Sequence, residues 1–290
     1  MPQNTSSHFK NLPGAIVLSF LCMLCVLLAG SLTSGIAQAL FPLGYFLRFL
    51  VYAGLTFLSV RKLCHMSGLT LPECRITRFR LSFLSVFWAV LLPVFLFAAA
   101  CMGSRGSWQV CSRLTKEHLA NLFYSLFYTG ICSGLVEEAA FRGYMLSLCE
   151  RRLGKAGAFL VPTFFFVLPH VYGSGGDFTV LASRILLYVS LCALFTLVTF
   201  HDNSIWGAVL IHASWDIFAA GDRIVSVSLE PETGVFFTYV LESEPYIMAA
   251  SPAAGAFLGA AAVIFCCLVT AAVLKGRQKP DIRGKSSISS

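Results

Sequence analysis

Six ionisable residues lie within long apolar stretches of the chain, where charged side chains are uncommon. In sequence order they are Glu137, Glu138, Arg142, His170, His212 and Asp216. A charge at the centre of a bilayer costs roughly 2.5–3.5 kcal/mol on insertion scales, so such residues usually pair with one another or have a function. Carboxylates and imidazoles act as general bases, and together they can also bind a metal ion. The set predicts hydrolytic chemistry, with ion transfer and a buried polar network as alternatives.

Helical spacing gives the two adjacent carboxylates different surroundings. Glu138 and Arg142 are four residues apart, so they share a helical face and can form an ion pair. Glu137 points about 100° away from Glu138 and is left free to project into a bundle. His212 and Asp216 have the same four-residue spacing, which lets the carboxylate orient the ring. The spacing therefore favours Glu137 as the general base.

The depth of these residues along their predicted helices brings three of them to one layer. Counted from the basic turn over 150–155, Glu137 and His170 each lie about 21–22 Å along antiparallel helices at 1.5 Å per residue. His212 lies about 15 Å along a third helix by the same rise. One carboxylate and two imidazoles are therefore expected to surround a common space.

The composition predicts that these helices lie in a membrane. Hydrophobic residues make up 57% of the 290 residues and charged residues 12%, whereas a soluble domain carries about a quarter. The apolar runs are continuous, while the strands of a membrane barrel would alternate in polarity. We therefore predict an all-α fold, a polytopic transmembrane helical bundle.

The apolar runs predict about eight spanning helices. Their approximate ranges are 14–36, 43–60, 81–102, 119–149, 156–172, 180–200, 204–220 and 246–274. Lys and Arg concentrate in alternate loops and in the C-terminal tail, which places both termini in the cytoplasm. Their positions also explain the net charge of +7 without nucleic acid as a partner.

Three further features concern the loops and helix ends. Arg48 and Arg184 lie close enough to predicted helix ends to reach the membrane interface, so we expect them to snorkel. The acidic loop over 221–245 has a turn signal between two β-prone stretches, which predicts a small outer hairpin. The eleven cysteines lie mostly in apolar runs and are interpreted as small hydrophobic residues.

We divide the chain into three parts. Residues 1–118 contain the first three predicted membrane helices and their loops. Residues 119–220 form the core that carries all six ionisable residues. Residues 221–290 contain the acidic outer loop, the last membrane helix and a basic tail.

Three motifs in the core resemble those of a known family. They are Glu137-Glu138-Ala139-Ala140-Phe141-Arg142, Phe166-Val167-Leu168-Pro169-His170 and His212-Ala213-Ser214-Trp215-Asp216. Their order and gaps resemble the Glu-Glu-x-x-x-Arg, Phe-x-x-x-His and His-x-x-x-Asn or Asp pattern of the CPBP or Abi family. These are CAAX-processing and bacteriocin-processing intramembrane endopeptidases, similar to the type II CAAX prenyl protease. The likeness covers about residues 119–220.

The resemblance implies a role for each residue. Glu137 would activate water with help from His170, and His212 with Asp216 would stabilise the oxyanion. Glu138 and Arg142 would support the site. An ionised Asp216 can only accept hydrogen bonds, so it orients His212, or is protonated, or stands beside a metal ion.

A metal ion is the one cofactor that these candidate site residues could bind. Glu137, His170 and His212 could bind zinc with one position open. The His-Glu-x-x-His motif of zincins is missing from the sequence, and we favour a metal-independent reaction. The expected partners are a membrane-associated peptide or protein substrate and the lipid bilayer, and the expected location is a bacterial plasma membrane.

Two alternatives to a protease remain open at this stage. Intramembrane Glu, His and Arg also occur in transporters that relay protons or ions. A non-catalytic membrane protein, such as a scaffold or a bacteriocin immunity protein, would keep the fold and only bind a partner. A peptide cleavage assay and an ion flux assay separate these hypotheses.

Overall fold

Helices make up most of the described chain. The computed structural model describes residues 5–41, 43–102, 104–172, 177–220, 224–243 and 253–277. The α-helices are α1 Thr5–Ala39, α2 Gly44–Ser67, α3 Phe83–Met102, α4 Lys116–Phe123, α5 Ile131–Glu138, α6 Leu146–Val171, α7 Phe178–Asp202, α8 Trp206–Ser214 and α9 Ala254–Arg277. Three π-helical segments interrupt them: π1 Tyr124–Gly130, π2 Ala139–Met145 and π3 Trp215–Ala220.

The helical stretch from α4 to α6 folds back on itself. It contains 56 residues, which would measure about 84 Å if straight, far more than the hydrocarbon core of a bilayer. At Gly154 the backbone leaves the helical region, with φ 75° and ψ −174°. The rings of Phe141 and Phe166 lie 5.3 Å apart, although the two residues are on opposite sides of this break. The two halves are therefore antiparallel, with the reversal in the turn predicted over 150–155.

Close helix packing forms the core. One cluster of buried side chains joins α1, α2, α5 and both halves of α6, and it contains Phe141, Tyr144 and Phe166. A second cluster joins α3, α7, α8 and α9 around Trp88 and Phe195. In this second cluster the indole N–H of Trp88 donates to the hydroxyl of Thr270 at 3.0 Å. The two clusters hold the helices that carry the six ionisable residues.

Large apolar side chains also cover the outside of the helices. Examples are Leu32 on α1, Phe83 and Val90 on α3 and Leu268 on α9, each more than half exposed. Exposed apolar surface on this scale is unfavourable in water but suits lipid. Five stretches are long and apolar enough to cross a membrane: Leu12–Ala39, Phe83–Met102, Lys116–Val171, Phe178–Asp202 and Ala254–Gly276. The chain is an integral membrane protein, while the count of eight spans and the orientation of the termini remain predictions.

A small sheet amends the all-α prediction. Strands β1 Gly106–Val110, β2 Val225–Ser228 and β3 Phe237–Leu241 are ordered β1-β3-β2. The β2 and β3 strands pair in parallel, and β1 pairs with β3 in the antiparallel sense. The predicted hairpin within 221–245 is therefore wrong. After β2 the chain runs back to the N-terminal end of that strand before β3 begins, so β3 has the same direction as β2. The antiparallel partner of β3 is β1, which lies in the loop after α3.

Ser112 and Glu232 connect the end of β1 to the β2–β3 connection. The backbone N–H and the hydroxyl of Ser112 both donate to the carboxylate of Glu232. These hydrogen bonds favour the ionised form and hold the pKa of Glu232 below its usual value.

Arg48 contradicts the snorkelling prediction. Only 7% of this residue is exposed, and its guanidinium carbon lies 4.0 Å from the ring centroid of Tyr128 and 5.0 Å from that of Tyr52. The two aromatic faces stabilise the cation inside the bundle, so it does not need to reach the interface. Arg184 is exposed on α7.

We predict that Gly154→Ala destabilises the protein by about 1–3 kcal/mol, because its backbone angles lie in a region that side chains rarely adopt. The midpoint of thermal unfolding in detergent measures this effect. Gly35→Ala is the matched control, since Gly35 lies in α1 with nothing within 4 Å of an added Cβ. Equal unfolding midpoints for the two variants would show that the turn does not depend on glycine.

Candidate active site

A buried ion pair joins π2 to the end of α5. The Oε1 atom of Glu138 accepts from Nη1 of Arg142 at 3.1 Å, and the two side chains are 0% and 2% exposed. The i, i+4 pair predicted from the sequence is thus confirmed. The guanidinium carbon of Arg142 also lies 4.6 Å from the ring centroid of Phe166 and 5.0 Å from that of Phe195. A carboxylate and two aromatic faces therefore stabilise this buried cation.

The same carboxylate oxygen holds His212. Nδ1 of His212 donates to Oε1 of Glu138 at 2.8 Å, and the imidazole stacks on the ring of Phe195 at 4.9 Å. Because Nδ1 faces a carboxylate, it carries a hydrogen. Nε2 is therefore an acceptor when the ring is neutral and a donor when the ring is protonated. The sequence indicated Asp216 as the residue that orients the ring. The structure gives the shorter contact to Glu138 and places Oδ2 of Asp216 3.5 Å from Nε2.

Glu137 provides a carboxylate with an open acceptor. Its Oε2 lies 4.0 Å from Nε2 of His212, and 21% of the side chain is exposed. This oxygen is buried and has no hydrogen-bond partner among the described residues. Buried polar atoms are normally satisfied. Oε2 of Glu138 also has no partner among the described residues, but that side chain is 0% exposed, so the carboxylate of Glu137 is the one placed to meet water or substrate.

His170 lies against the same aromatic cluster but makes a different set of contacts. Its Nδ1 donates to the carbonyl oxygen of Phe166 at 2.6 Å, which leaves Nε2 as an acceptor in the neutral ring. The ring stacks on Phe166 at 4.5 Å and packs against Tyr188 at 4.7 Å. Within the described residues the ion contact of Glu137 is to His212 and not to His170. The two imidazoles are linked through the ring of Phe166, which also contacts His212 at 5.9 Å.

One glycine and two π-helical segments allow the helices that carry these side chains to approach one another. A Cβ on Gly134 would lie 2.9 Å from the carbonyl oxygen of Val209 and 3.1 Å from the nitrogen of Ala213, so glycine lets α5 and α8 approach closely. The π2 segment starts directly after Glu138, and π3 contains Asp216. Such π-helical turns often occur at functional sites, where they change the direction of side chains.

Glu137, His170 and His212 are the zinc ligands that the sequence allowed. In the described part of the chain, no group of three or more His, Cys, Asp and Glu side chains is arranged to hold a metal ion. His212 uses Nδ1 to bind Glu138, and His170 uses Nδ1 to bind a backbone carbonyl. The metal-independent reaction favoured by the sequence stays a prediction.

Two aromatic residues of α7 belong to the site but gave no signal in the sequence. Phe195 contacts both His212 and Arg142, and Tyr188 contacts His170. An aromatic residue in an apolar helix reads as ordinary core, and α7 contributes none of the six ionisable residues. Only tertiary contacts distinguish these two positions from their neighbours.

We predict that Arg142→Met destabilises the protein by about 3–5 kcal/mol, because it leaves Glu138 buried without its cation. Thermal unfolding in detergent measures the loss. Arg61→Met, at an exposed position of α2, is the matched control and should have little effect. The double variant Glu138→Gln, Arg142→Met should recover part of the loss, and strict additivity of the two changes would show that the pair does not interact.

Comparison with known proteins agrees with these motifs. Residues 119–218, about a third of the chain, match the family described as type II CAAX prenyl endopeptidase Rce1-like. Comparisons with curated proteins and with solved structures gave no match. The matched segment holds all six ionisable residues and the helices that carry them. The family resemblance indicated by the sequence is confirmed: this segment is similar to the Rce1-like type II CAAX prenyl endopeptidases.

Proposed function

We propose that this protein is an intramembrane endopeptidase. It hydrolyses a peptide bond of a membrane-associated or lipidated peptide or protein, either by CAAX-type processing or by processing of a bacteriocin or another peptide precursor. The Rce1-like match supports a membrane protease of the CAAX type. The apolar bundle supports a substrate that reaches the site from the membrane, and we propose a bacterial plasma membrane as its location.

One observation carries the mechanism: the unsatisfied Oε2 of Glu137 faces an imidazole nitrogen whose ring is held in place. A water molecule beside this oxygen would donate one hydrogen to it and direct a lone pair at the scissile carbonyl. Glu137 then takes the proton as the oxygen of water bonds to the carbonyl carbon. The product of this step is a tetrahedral intermediate with a negatively charged oxygen.

His212 is placed to stabilise that oxygen. When its ring is protonated, Nε2 carries a hydrogen, while Nδ1 remains bound to Glu138. The distance of 3.5 Å from Nε2 to Asp216 is longer than an ordinary hydrogen bond, so this hydrogen is available to the substrate without a movement of the ring. Glu138, Arg142 and Phe195 fix the ring before the substrate binds, and such preorganised donors lower the barrier to acyl transfer.

His170 can assist with proton transfer. Its Nδ1 is bound to the carbonyl of Phe166, so the neutral ring presents Nε2 as an acceptor. We propose that it helps Glu137 to align the water, as the family resemblance implies. The tetrahedral intermediate then collapses: the carbonyl re-forms, the C–N bond breaks, and Glu137 returns its proton to the leaving amine.

Exchange of the proposed base for an isosteric amide tests this function. We predict that Glu137→Gln lowers kcat by about 10²–10⁴-fold, the usual contribution of a general base, and leaves the unfolding midpoint close to wild type. The assay follows cleavage of a farnesylated CAAX peptide and of the same peptide without the lipid, by the purified full-length protein. Glu117→Gln, at an exposed position of α4, is the matched control and should keep full activity.

The outcomes separate the three hypotheses. Equal turnover by wild type and Glu137→Gln would show that another group activates the water. Substrate binding without cleavage by the wild-type protein would favour an immunity or scaffold protein. Ion flux in proteoliposomes that depends on Glu137, without cleavage, would favour a transporter.

A chelator tests the proposed independence from metal ions. We expect turnover to persist after treatment with a strong chelator, because the described residues do not assemble a metal site. Metal analysis of the treated protein serves as the control for complete removal. Loss of cleavage on chelation and its return with zinc would overturn this proposal.

A further inference from the structure

Two buried cysteines face each other where the chain turns back after α2. Cys64 lies in the last turn of α2, beyond the apolar run over 43–60, and Cys74 lies in the connection to α3. Both thiols are free, their Sγ atoms are 3.3 Å apart, and the two residues are 2% and 0% exposed. The sulfur atoms of a disulfide are about 2.05 Å apart, so a small side-chain rotation brings this pair within bonding distance.

Local hydrogen bonds return Cys74 to the end of α2. The helix ends at Gly68, whose φ of 65° lets the next backbone N–H donate to the carbonyl oxygen of Cys64 at 2.9 Å. The backbone N–H and the hydroxyl of Thr70 then donate to the carboxylate of Glu73, at 2.7 and 2.8 Å. The N–H of Cys74 donates to the carbonyl oxygen of Thr70 at 3.1 Å. The sulfur contact is therefore fixed by turns within one short stretch of chain.

The two thiols are chemically different. The contact with Cys74 lowers the pKa of the Cys64 thiol, because the neighbouring thiol donates a hydrogen bond to the Cys64 thiolate. The thiolate is the nucleophilic form of cysteine, and a second thiol beside it is the arrangement found in redox-active dithiols. Cys64 is therefore suited to attack an oxidant and Cys74 to resolve the product.

The turns that cover the pair are mostly exposed. Met66, Gly68, Thr70, Pro72 and Glu73 are all exposed. Segments with few buried apolar contacts open locally at a small cost in free energy, which gives small solutes access to the thiols. The distribution of Lys and Arg predicts that these turns face the cytoplasm, where protein disulfides are typically transient and redox-sensing.

The same turns support the helical stretch of the candidate active site. The carbonyl oxygen of Cys74 lies 3.4 Å from the position of a Cβ on Gly143, the residue after Arg142 in π2. The guanidinium of Arg75 donates to the carboxylate of Glu150 on α6 at 2.6 Å. A bond between the two sulfur atoms would therefore fix a segment that packs against π2 and α6.

We propose that Cys64 and Cys74 form a reversible disulfide in the folded protein, with hydrogen peroxide as the oxidant and a dithiol as the reductant. The thiolate of Cys64 attacks one oxygen of the peroxide, the O–O bond breaks, and Cys64 becomes a sulfenic acid while hydroxide leaves and takes up a proton. The thiol of Cys74 loses its proton as its sulfur attacks the sulfur of Cys64, and water leaves.

The two thiols thereby lose two electrons and two protons, and one peroxide becomes two molecules of water. Thiol–disulfide exchange restores both thiols and converts the dithiol into a disulfide. The oxidised protein resists unfolding more strongly, because the bond closes a loop in the unfolded chain.

Peptide mapping of the full-length protein in detergent tests this bond. Trypsin cleaves after Lys62 and Arg75, so both cysteines fall within one peptide, residues 63–75. The folded, reduced protein is treated with peroxide until the exposed Met66 of this peptide gains one oxygen, and free thiols are then blocked. We expect the peptide to lose two hydrogens and to carry no blocking group. Dithiothreitol should restore two thiols that can be blocked.

Cysteine variants test the order of the steps. Cys74→Ser removes the resolving thiol, so the sulfenic acid at Cys64 should react with dimedone, whereas Cys64→Ser should leave Cys74 unlabelled. Cys267→Ser, at a half-buried position of α9, is the matched control and should keep the disulfide. Oxidation should raise the unfolding midpoint of the wild-type protein and of Cys267→Ser, but not that of either variant of the pair.

Oxidation of Met66 without the loss of two hydrogens would overturn the proposal. A bond from Cys64 to Cys22, which lies on α1 in the same buried cluster, would also overturn it, as would a disulfide that forms only after denaturation. Labelling of Cys74 by dimedone in Cys64→Ser would contradict the assigned nucleophile. None of these measurements depends on peptide cleavage by the protein.

Discussion

The buried carboxylate of Glu138 is the group on which the candidate active site depends. It binds Arg142 within its own helical stretch and His212 on another helix, so one oxygen joins two parts of the fold. Removal of two charges and an imidazole from water is costly unless each finds a partner. The aromatic rings of Phe166 and Phe195 complete the surroundings of the cation. This network occupies Oε1 of Glu138, whose side chain is 0% exposed, and leaves the neighbouring Glu137, which is 21% exposed, as the carboxylate that water or substrate can reach.

Glu137 and Glu138 have different environments because adjacent side chains on a helix point in different directions. A step of one residue turns a side chain by about 100°, which directs Glu138 into the packed interior and Glu137 towards His212 and Asp216. The helices can hold this arrangement because Gly134 permits close contact between α5 and α8. Rigid positioning of a base and an imidazole in a low-dielectric interior is what peptide hydrolysis requires.

A carboxylate also holds an imidazole ring at the end of α7. Asp202 holds His201 through Nδ1, as Glu138 holds His212. Nε2 of His201 has no partner among the described residues, whereas Nε2 of His212 lies 3.5 Å from Asp216 and 4.0 Å from Glu137. The two rings face different environments, because His201 lies beside Arg80 and His212 lies among the carboxylates of Glu137, Glu138 and Asp216.

The sequence by itself determined the membrane environment, the helical class, the i, i+4 pair of Glu138 and Arg142 and the family resemblance, because hydropathy and helical spacing are local properties. Tertiary structure decided which groups meet. It placed His212 closer to Glu138 than to Asp216, stacked His170 on Phe166, buried Arg48 between tyrosines and paired β2 with β3 in parallel. These outcomes depend on side-chain directions between helices and on contacts between distant loops, which spacing along one helix does not specify.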